Sequence, residues 1–261
     1  MSLNDSAAAA VKKKDSLFRE DFGRFGVRAV LAGAYLTLGT AFAGVAGNAV
    51  EKHAAGMGGV VFALLFGLGL FSIVILGAEL ATGNMMFFSY GATTRQVGWG
   101  RAVTVVVVTT LLNLVGAIII AAGLGLSAKF SGMGPDHLIA TLSQGKLVKS
   151  PVHMFVEAIM ANFVVNMGIV GAIFAKDIVS KFFVIVPLIA IFVGLGLEHV
   201  IANFSLMSIT FFSANPMIEA MTPAHVLLNW VLVFLGNFIG GGLLIGSLYA
   251  WLNRGSEAYR D

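Results

Sequence analysis

The sequence predicts an all-α membrane protein with six transmembrane helices, and three observations support this. Of its 261 residues, 58% are hydrophobic and only 11% are charged, which is roughly half the charged fraction of a soluble domain. Apolar runs long enough to cross a bilayer, about 20 residues each, recur along the chain with short polar connections between them. A pattern of polar residues inside these runs also occurs twice. Together they leave no room for a separate soluble domain.

Charge and cysteine content narrow the possible classes further. The net charge of +3 could suggest a nucleic acid partner, but the basic residues are scattered through short loops, so we expect no nucleic acid binding. Cysteine is absent, which excludes disulfides and thiolate metal sites, and we expect no cofactor. The first 28 residues are polar and charged, so no cleavable signal peptide is evident.

The six spans are predicted at about 29–49, 60–88, 102–126, 153–175, 182–212 and 225–252. An even number of spans places both termini on one side of the membrane. Twelve Lys and Arg residues fall on that side and four on the other, which are Lys52, Lys129, Lys146 and Lys149. The positive-inside rule therefore predicts cytoplasmic termini in the inner (plasma) membrane. The chain divides into an N-terminal segment 1–28, a transmembrane domain 29–252 and a cytoplasmic tail 253–261.

The N-terminal segment carries an amphipathic pattern just before the first span. Phe18, Phe22 and Phe25 recur at helical spacing among charged residues. This pattern predicts an amphipathic helix over residues 15–28 that lies on the cytoplasmic surface. The alternative is a solvated leader without a fixed position.

An internal repeat relates the two halves of the chain. Glu79 precedes Asn84 in the second span by the same spacing as Glu198 precedes Asn203 in the fifth. An Asn-x-x-Gly pattern then occurs in the third span and again in the sixth, at Asn113 and Asn237. Residues 29–126 and 153–252 therefore look like diverged copies. Since each copy holds three spans, the copies are expected to have opposite orientations in the membrane, with a transport site between them.

The polar residues of this repeat predict interrupted helices. Isolated polar groups in hydrocarbon cost several kcal/mol each unless they are partnered. We expect Glu79 and Glu198 to accept backbone N–H groups freed where the second and fifth helices break, and Asn84 and Asn203 to close the turns. Direct contact between these carboxylates and a substrate is the less favoured alternative.

His199 is the histidine expected deepest within a span. A buried histidine can be merely structural, but ionisable groups inside a membrane often mark proton relays or substrate pathways. Thr82, in the other interrupted segment, faces His199 by the repeat symmetry and could fix its tautomer by a hydrogen bond. Asn162 in the fourth span could contact a substrate or simply bond to a neighbouring helix.

Lys146 and Lys149 precede the fourth span on the outer side. Either could be an ordinary solvated loop charge. An anion pathway, however, requires a positive field at its mouth, and these are among the few outer cations.

The segments that carry the repeat resemble the formate/nitrite transporter family. The matching stretches are Gly77 to Asn84, Glu198 to Asn203 and Gly236 to Gly242. The resemblance extends over essentially the whole chain, with six spans and matched spacing between motifs.

This resemblance implies a homopentamer of aquaporin-like protomers, each with its own pore. It implies that His199 is the central pore histidine, that Thr82 is its hydrogen-bond partner and that Asn162 belongs to the pore lining. Lys146 is similar to the family's outer-vestibule lysine.

The family's two hydrophobic constrictions have counterparts in this sequence. The resemblance places Phe66 and Phe192 in the outer constriction and Leu70 and Leu80 in the inner one. Ala81 departs from the pattern, because many relatives have a bulky aromatic residue there. The inner constriction is therefore expected to be wider.

The expected function is transport of a small monovalent anion, most of all formate, coupled to protons through the central histidine. Nitrite, hydrosulfide and lactate are the alternative cargoes. An intramembrane enzyme is less consistent with the sequence, which contains no HExxH or GxSxG pattern. An aquaporin-type channel would show paired Asn-Pro-Ala loops, and a membrane scaffold would not need matched polar interruptions.

Overall fold

The computed structural model describes residues 3–253 and shows that the protein is all-helical. The helices are α1 (Leu3–Glu20), α2 (Phe22–Glu51), α3 (Met57–Ile75), α4 (Ala81–Thr93), α5 (Trp99–Gly125), α6 (Leu138–Leu147), α7 (Pro151–Phe174), α8 (Ile178–Gly194), α9 (Val200–Ser213), α10 (Pro223–Asn237) and α11 (Leu248–Leu252), with a π-helical segment, Phe238–Ser247, joining the last two.

Five of the described helices are long and apolar enough to cross a membrane. They are α2, α3, α5, α7 and the continuous helix Pro223–Leu252. Two shorter apolar helices, α8 and α9, together cover the predicted fifth span. The predicted second span is likewise divided, into α3 and α4. The two interruptions therefore lie in the spans where the polar residues of the repeat predict them.

The N-terminal amphipathic helix differs from the expectation in its bounds. Instead of one helix over 15–28, α1 ends at Glu20 and α2 begins at Phe22. Asp21 separates them because its side chain accepts the N–H of Arg24 at 3.0 Å and caps α2. The rings of Phe18 and Phe25 meet edge to face across this junction, with centroids 5.0 Å apart. Residues 22–28 thus belong to the first long helix.

Helix α1 is anchored against the rest of the protein. Val11 is fully buried, and it packs in a cluster with Tyr90 of α4 and Ala250 of α11. This contact keeps the basic middle of α1 beside the segment that separates α3 from α4. The tail predicted at 253–261 lies outside the described residues beyond Asn253.

The π-helical segment contains three consecutive glycines that bring it close to α7. A Cβ atom at Gly241 would lie 2.2 Å from Nδ2 of Asn162 and 2.3 Å from Nδ2 of Asn166. A larger residue at this position would displace both amides. The glycine run therefore makes room for two polar side chains in the middle of the molecule.

Candidate functional site

Both helix interruptions begin with a glycine in the left-handed conformation. Gly77 has φ +66° and Gly196 has φ +69°, values that glycine adopts without steric cost. Behind them, the N–H of Ala78 bonds to the carbonyl of Ile73 at 3.0 Å, and the N–H of Leu197 bonds to Phe192 at 3.1 Å. This is the hydrogen bond that closes a helix C-terminus in a Schellman motif. The two chains then run towards α4 and α9.

Asn113 of α5 satisfies the exposed backbone of the first interruption. Its Oδ1 accepts the N–H of Ala81 at 2.9 Å. Its Nδ2 donates to the carbonyls of Glu79 at 2.9 Å and Ala29 at 2.7 Å. One fully buried amide thus replaces the water that an interrupted helix would otherwise need.

Asn237 of α10 makes the same three contacts at the second interruption. Its Oδ1 accepts the N–H of Val200 at 2.8 Å, and its Nδ2 donates to the carbonyls of Glu198 at 2.9 Å and Ala158 at 2.7 Å. The sequence repeat pairs Asn113 with Asn237, but sequence reasoning assigned neither a place in the site. Their contacts with the interruptions depend on tertiary packing.

The two carboxylates have different partners from those expected. Glu79 is held by Lys14 of α1, and Glu198 by Lys146 and Lys149. Among the described residues they accept side-chain donors, and the backbone N–H groups go to asparagine and histidine instead. The reason is that lysines from α1 and from residues 146–149 lie within ion-pair distance of the carboxylates and bind them.

Asn203 and Asn84 differ in their surroundings. Asn203 donates to Oε2 of Glu198 at 2.6 Å and to Asn229 at 2.8 Å. Asn84 donates to Thr109 at 3.3 Å, and the Oδ1 atoms of both asparagines are buried without a hydrogen-bond partner in the described chain. The two therefore differ in their donors, since the amide of Asn203 binds the carboxylate of its own interruption and that of Asn84 does not.

His199 is the N-cap residue of α9 and contacts the other interruption. Its Nδ1 accepts the N–H of Ala202 at 3.1 Å, so this nitrogen carries no proton. Its Nε2 lies 2.9 Å from Oγ1 of Thr82 and therefore donates to that hydroxyl in the neutral ring. Both side chains are at least 97% buried. The ring is thus fixed by one contact from each half of the chain.

Asn162 and Asn166 support Thr82 from behind. Their Nδ2 atoms lie 3.3 and 3.2 Å from the carbonyl oxygen of Thr82. Asn162 also donates to the carbonyl of Asn237 at 2.8 Å. It lines none of the three cavities described next, so its contacts are with neighbouring helices.

Three cavities lie along a path through the molecule. A cavity of about 470 Å³ opens beside α6, and one of about 330 Å³ opens beside α1. We name them the α6-side vestibule and the α1-side vestibule. Between them lies a space of about 10 Å³, which is too small for a passing hydrated ion.

His199 lines this central space together with the four predicted constriction residues. Phe66 and Phe192 also line the α6-side vestibule, and Leu80 also lines the α1-side vestibule. Of the three cavities, Leu70 lines only the central space. The rings of Phe66 and Phe192 are 5.8 Å apart, and the Phe192 ring is 5.7 Å from His199. The imidazole thus lies between two apolar barriers.

Lys146 and Lys149 line the α6-side vestibule. Lys146 donates to Glu198 and to the carbonyl of Leu197, both at 3.0 Å. Lys149 donates to Glu198, Glu157 and the carbonyl of Gly196. An ammonium has three donors, so Lys146 keeps one N–H free in the described chain while Lys149 uses all three.

The two lysines also differ in acidity. Burial lowers the pKa of Lys146 more than its carboxylate neighbour raises it. Burial also lowers the pKa of Lys149, but Glu198 and Glu157 outweigh it and raise the pKa above the usual value. Lys146 therefore loses its proton at lower pH than Lys149.

The predicted site residues thus separate into two groups. Those on the path are His199, Phe66, Leu70, Leu80, Phe192, Lys146, Glu79 and Asn84, whereas Thr82, Asn162, Glu198 and Asn203 hold the path residues from outside the cavities. The group that sequence reasoning missed comprises Asn113, Asn237 and Asn166.

Comparison with known proteins gives one consistent result. The sequence model described as "Formate/nitrite transporter" matches residues 3–251. A "Probable formate transporter" from Methanothermobacter thermautotrophicus is 31% identical, over 94% of this chain and 92% of that protein. An "FNT family ion channel" superposes with a TM-score of 0.88 at 25% identity, over 97% of this chain and 99% of that one. A "Pentameric formate channel with formate bound" superposes with a TM-score of 0.70 at 23% identity, over 88% and 96%.

These matches cover nearly the whole chain and both halves of the path. The family consists of transporters and channels rather than enzymes, which agrees with the several apolar helices of a membrane protein. The protein belongs to the formate/nitrite transporter family.

Proposed function

We propose that this protein conducts small monovalent anions of weak acids across the membrane, formate above all, with a proton coupled through His199. The observation that carries the proposal is the position of the imidazole. It lies in a central space of about 10 Å³ between two vestibules, behind apolar side chains on both sides. Such a barrier excludes hydrated ions and leaves a passage for a small molecule without net charge.

The α6-side vestibule gives an anion its first contacts. The free N–H of Lys146 can donate to one anionic oxygen, while Lys149 is fully engaged. As the anion passes Phe66 and Phe192 it leaves water behind. The falling dielectric raises the pKa of the weak acid and favours proton uptake.

His199 couples the proton to the anion because each charge neutralises the other in the central space. A second proton on the ring must go to Nδ1, which requires the loss of the bond from Ala202. Neither a lone imidazolium nor a lone anion is stable in this dry space, but the two together are neutral. Proton and anion therefore occupy the site together, and the pair leaves as the neutral acid, the imidazole regaining its bond to Ala202.

The arrangement of the protein in the membrane forms part of the same proposal. The matching contacts of Asn113 and Asn237 support two inverted repeats of three spans each. The charge census supports cytoplasmic termini in the plasma membrane. The pentameric formate channel that superposes on this chain supports a homopentamer.

Formate leads among the candidate substrates because a similar protein is named a probable formate transporter and a similar structure contains formate. Nitrite, hydrosulfide and lactate share its single charge and are the competitors to compare.

Uptake of labelled formate into proteoliposomes tests this function. We expect uptake well above that of protein-free vesicles, faster at lower pH, and reduced by an excess of unlabelled formate more than by equal nitrite, hydrosulfide or lactate. Stronger competition by one of the other anions would reassign the substrate. Uptake no faster than in protein-free vesicles for all four would refute the proposal.

A further inference from the structure

The α1-side vestibule carries an excess of positive charge. Four basic residues line it, Lys13, Lys14, Arg28 and Lys181, together with a single carboxylate, Glu79. Lys14 pairs with that carboxylate. Within residues 3–253, the other three cations have no carboxylate partner within ion-pair distance. The proposed proton coupling through His199 uses none of these three cations.

The α6-side vestibule is balanced by comparison. Lys146 and Lys149 share Glu198, and Lys149 also pairs with Glu157. Both lysines of this lining are therefore ion-paired, with carboxylates that lie outside the lining itself. The two mouths of one path differ in their number of unpaired cations, although the helix interruptions behind them have the same geometry.

Arg28 is held at the entrance of the inner interruption. Its Nη1 donates to the carbonyl of Gly77 at 3.2 Å, which is the single hydrogen bond of its guanidinium in the described chain. The remaining donors of the guanidinium form a planar fork suited to the two oxygens of a carboxylate or nitrite. Lys181, on the first turn of α8, lines the same cavity. It makes no ion pair with Asp177 within residues 3–253, and the oxygens of Asp177 accept from Ser180.

We propose that Arg28 and Lys181, with Lys13 at the rim, form an anion-loading site in the α1-side vestibule. The site takes small planar monovalent anions such as carboxylates, which gather at this mouth before they reach Leu80. Its positive field concentrates anions locally. That the loaded anion is also the transported one rests on the proposed function, whereas anion binding at this mouth does not.

The absence of cysteine from the sequence allows the potential in each vestibule to be measured directly. Ala10→Cys puts a single thiol in the α1-side vestibule, and Thr141→Cys puts one in the other. The rates of modification by an anionic and a cationic methanethiosulfonate reagent are measured in detergent at low salt. Their ratio, anionic over cationic, reports the local potential independently of transport.

We expect this ratio to be several-fold higher for Ala10→Cys than for Thr141→Cys, and to fall as salt is added. Each cation removed near the thiol should lower it several-fold, because the energies of the two oppositely charged reagents change in opposite directions. Adding Arg28→Gln and Lys181→Gln to Ala10→Cys should therefore lower the ratio by about an order of magnitude or more. Lys176→Gln is the matched control, because Lys176 is exposed on the same side and lies outside the cavity lining.

Protection of the thiol by formate is the second measurement. We expect sodium formate to slow the anionic reagent at Ala10→Cys more than an equal concentration of a bulky organic anion does, and this difference to vanish in the double variant. Equal ratios at the two mouths, an equal fall with Lys176→Gln, or no specific protection by formate would each overturn the loading site. Formate uptake by the same preparations reports separately on the proposed function.

Discussion

The hydrogen bonds of a few buried amides and one imidazole determine how the centre of this protein is built. Asn113 and Asn237 each bind one N–H and two carbonyl groups of the backbone. With the interruptions satisfied in this way, His199 is left to cap α9 and to reach Thr82. Position and tautomer of the imidazole follow from these contacts alone.

Thr82→Val tests the second contact of the histidine. Valine keeps the shape of threonine but removes the acceptor for Nε2–H, which leaves a buried donor unpaired at a cost of about 1–3 kcal/mol. We expect the ring to lose its fixed orientation and formate uptake to fall by about tenfold, the factor that corresponds to roughly 1.4 kcal/mol. Thr82→Ser keeps the hydroxyl and should retain most of the uptake. Equal uptake by the Val and Ser variants would show that the contact has no role.

At the scale of elements, two helices are interrupted in the same way. In each, a left-handed glycine ends one helix, three residues follow, and an asparagine from another helix caps the next one. The sequence predicts where these interruptions occur, because Glu79 and Glu198 have no place in a continuous apolar helix. It does not predict which groups bind them, because the partners Lys14 and Lys146 come from elements distant along the chain.

Gly196→Ala tests whether the left-handed turn is required. A Cβ at this position meets no atom within 4 Å, so the cost comes from the backbone conformation alone, about 1–2 kcal/mol. We expect the midpoint of thermal unfolding in detergent to fall by roughly 2–8 °C.

Gly123→Ala is the matched control, since that glycine is helical and its Cβ also meets open space. This variant should unfold at the wild-type temperature or slightly above it. An unchanged midpoint for Gly196→Ala would contradict the account of the turn.

At the scale of the whole molecule, the membrane-spanning helices can be predicted from the sequence, whereas the path between them is seen only in the tertiary structure. Apolar runs predict the long helices, and family resemblance predicts five of the eight residues that line the central space but not Leu36, Val165 and Ile189. The junction at Asp21 is not predicted, because a single capping residue divides one amphipathic pattern into two helices. The roles of Asn113 and Asn237 are also missed, since nothing in an isolated span distinguishes a cap for another helix from a polar packing contact.

The assembly gives a prediction at this scale. Large apolar side chains such as Leu111 and Ile119 of α5 are exposed on the single chain, and they require lipid or another subunit to cover them. If the protein is a homopentamer, native mass spectrometry should show one dominant species at about 137 kDa, five times the 27.4 kDa chain. A dominant monomer across several mild detergents would contradict this assembly.

The central claim is that His199 brings the anion and a proton into the path together, and the most direct test is the current carried by formate across a planar bilayer. We predict that the wild-type protein moves formate without net current. His199→Asn keeps a side chain that can cap α9 but removes the proton site. Its smaller side chain leaves room for water and its amide N–H groups can bind an anion without a proton, so we predict a formate-dependent current that reverses with the formate gradient. A variant that still transports formate without current and with wild-type pH dependence would contradict the account.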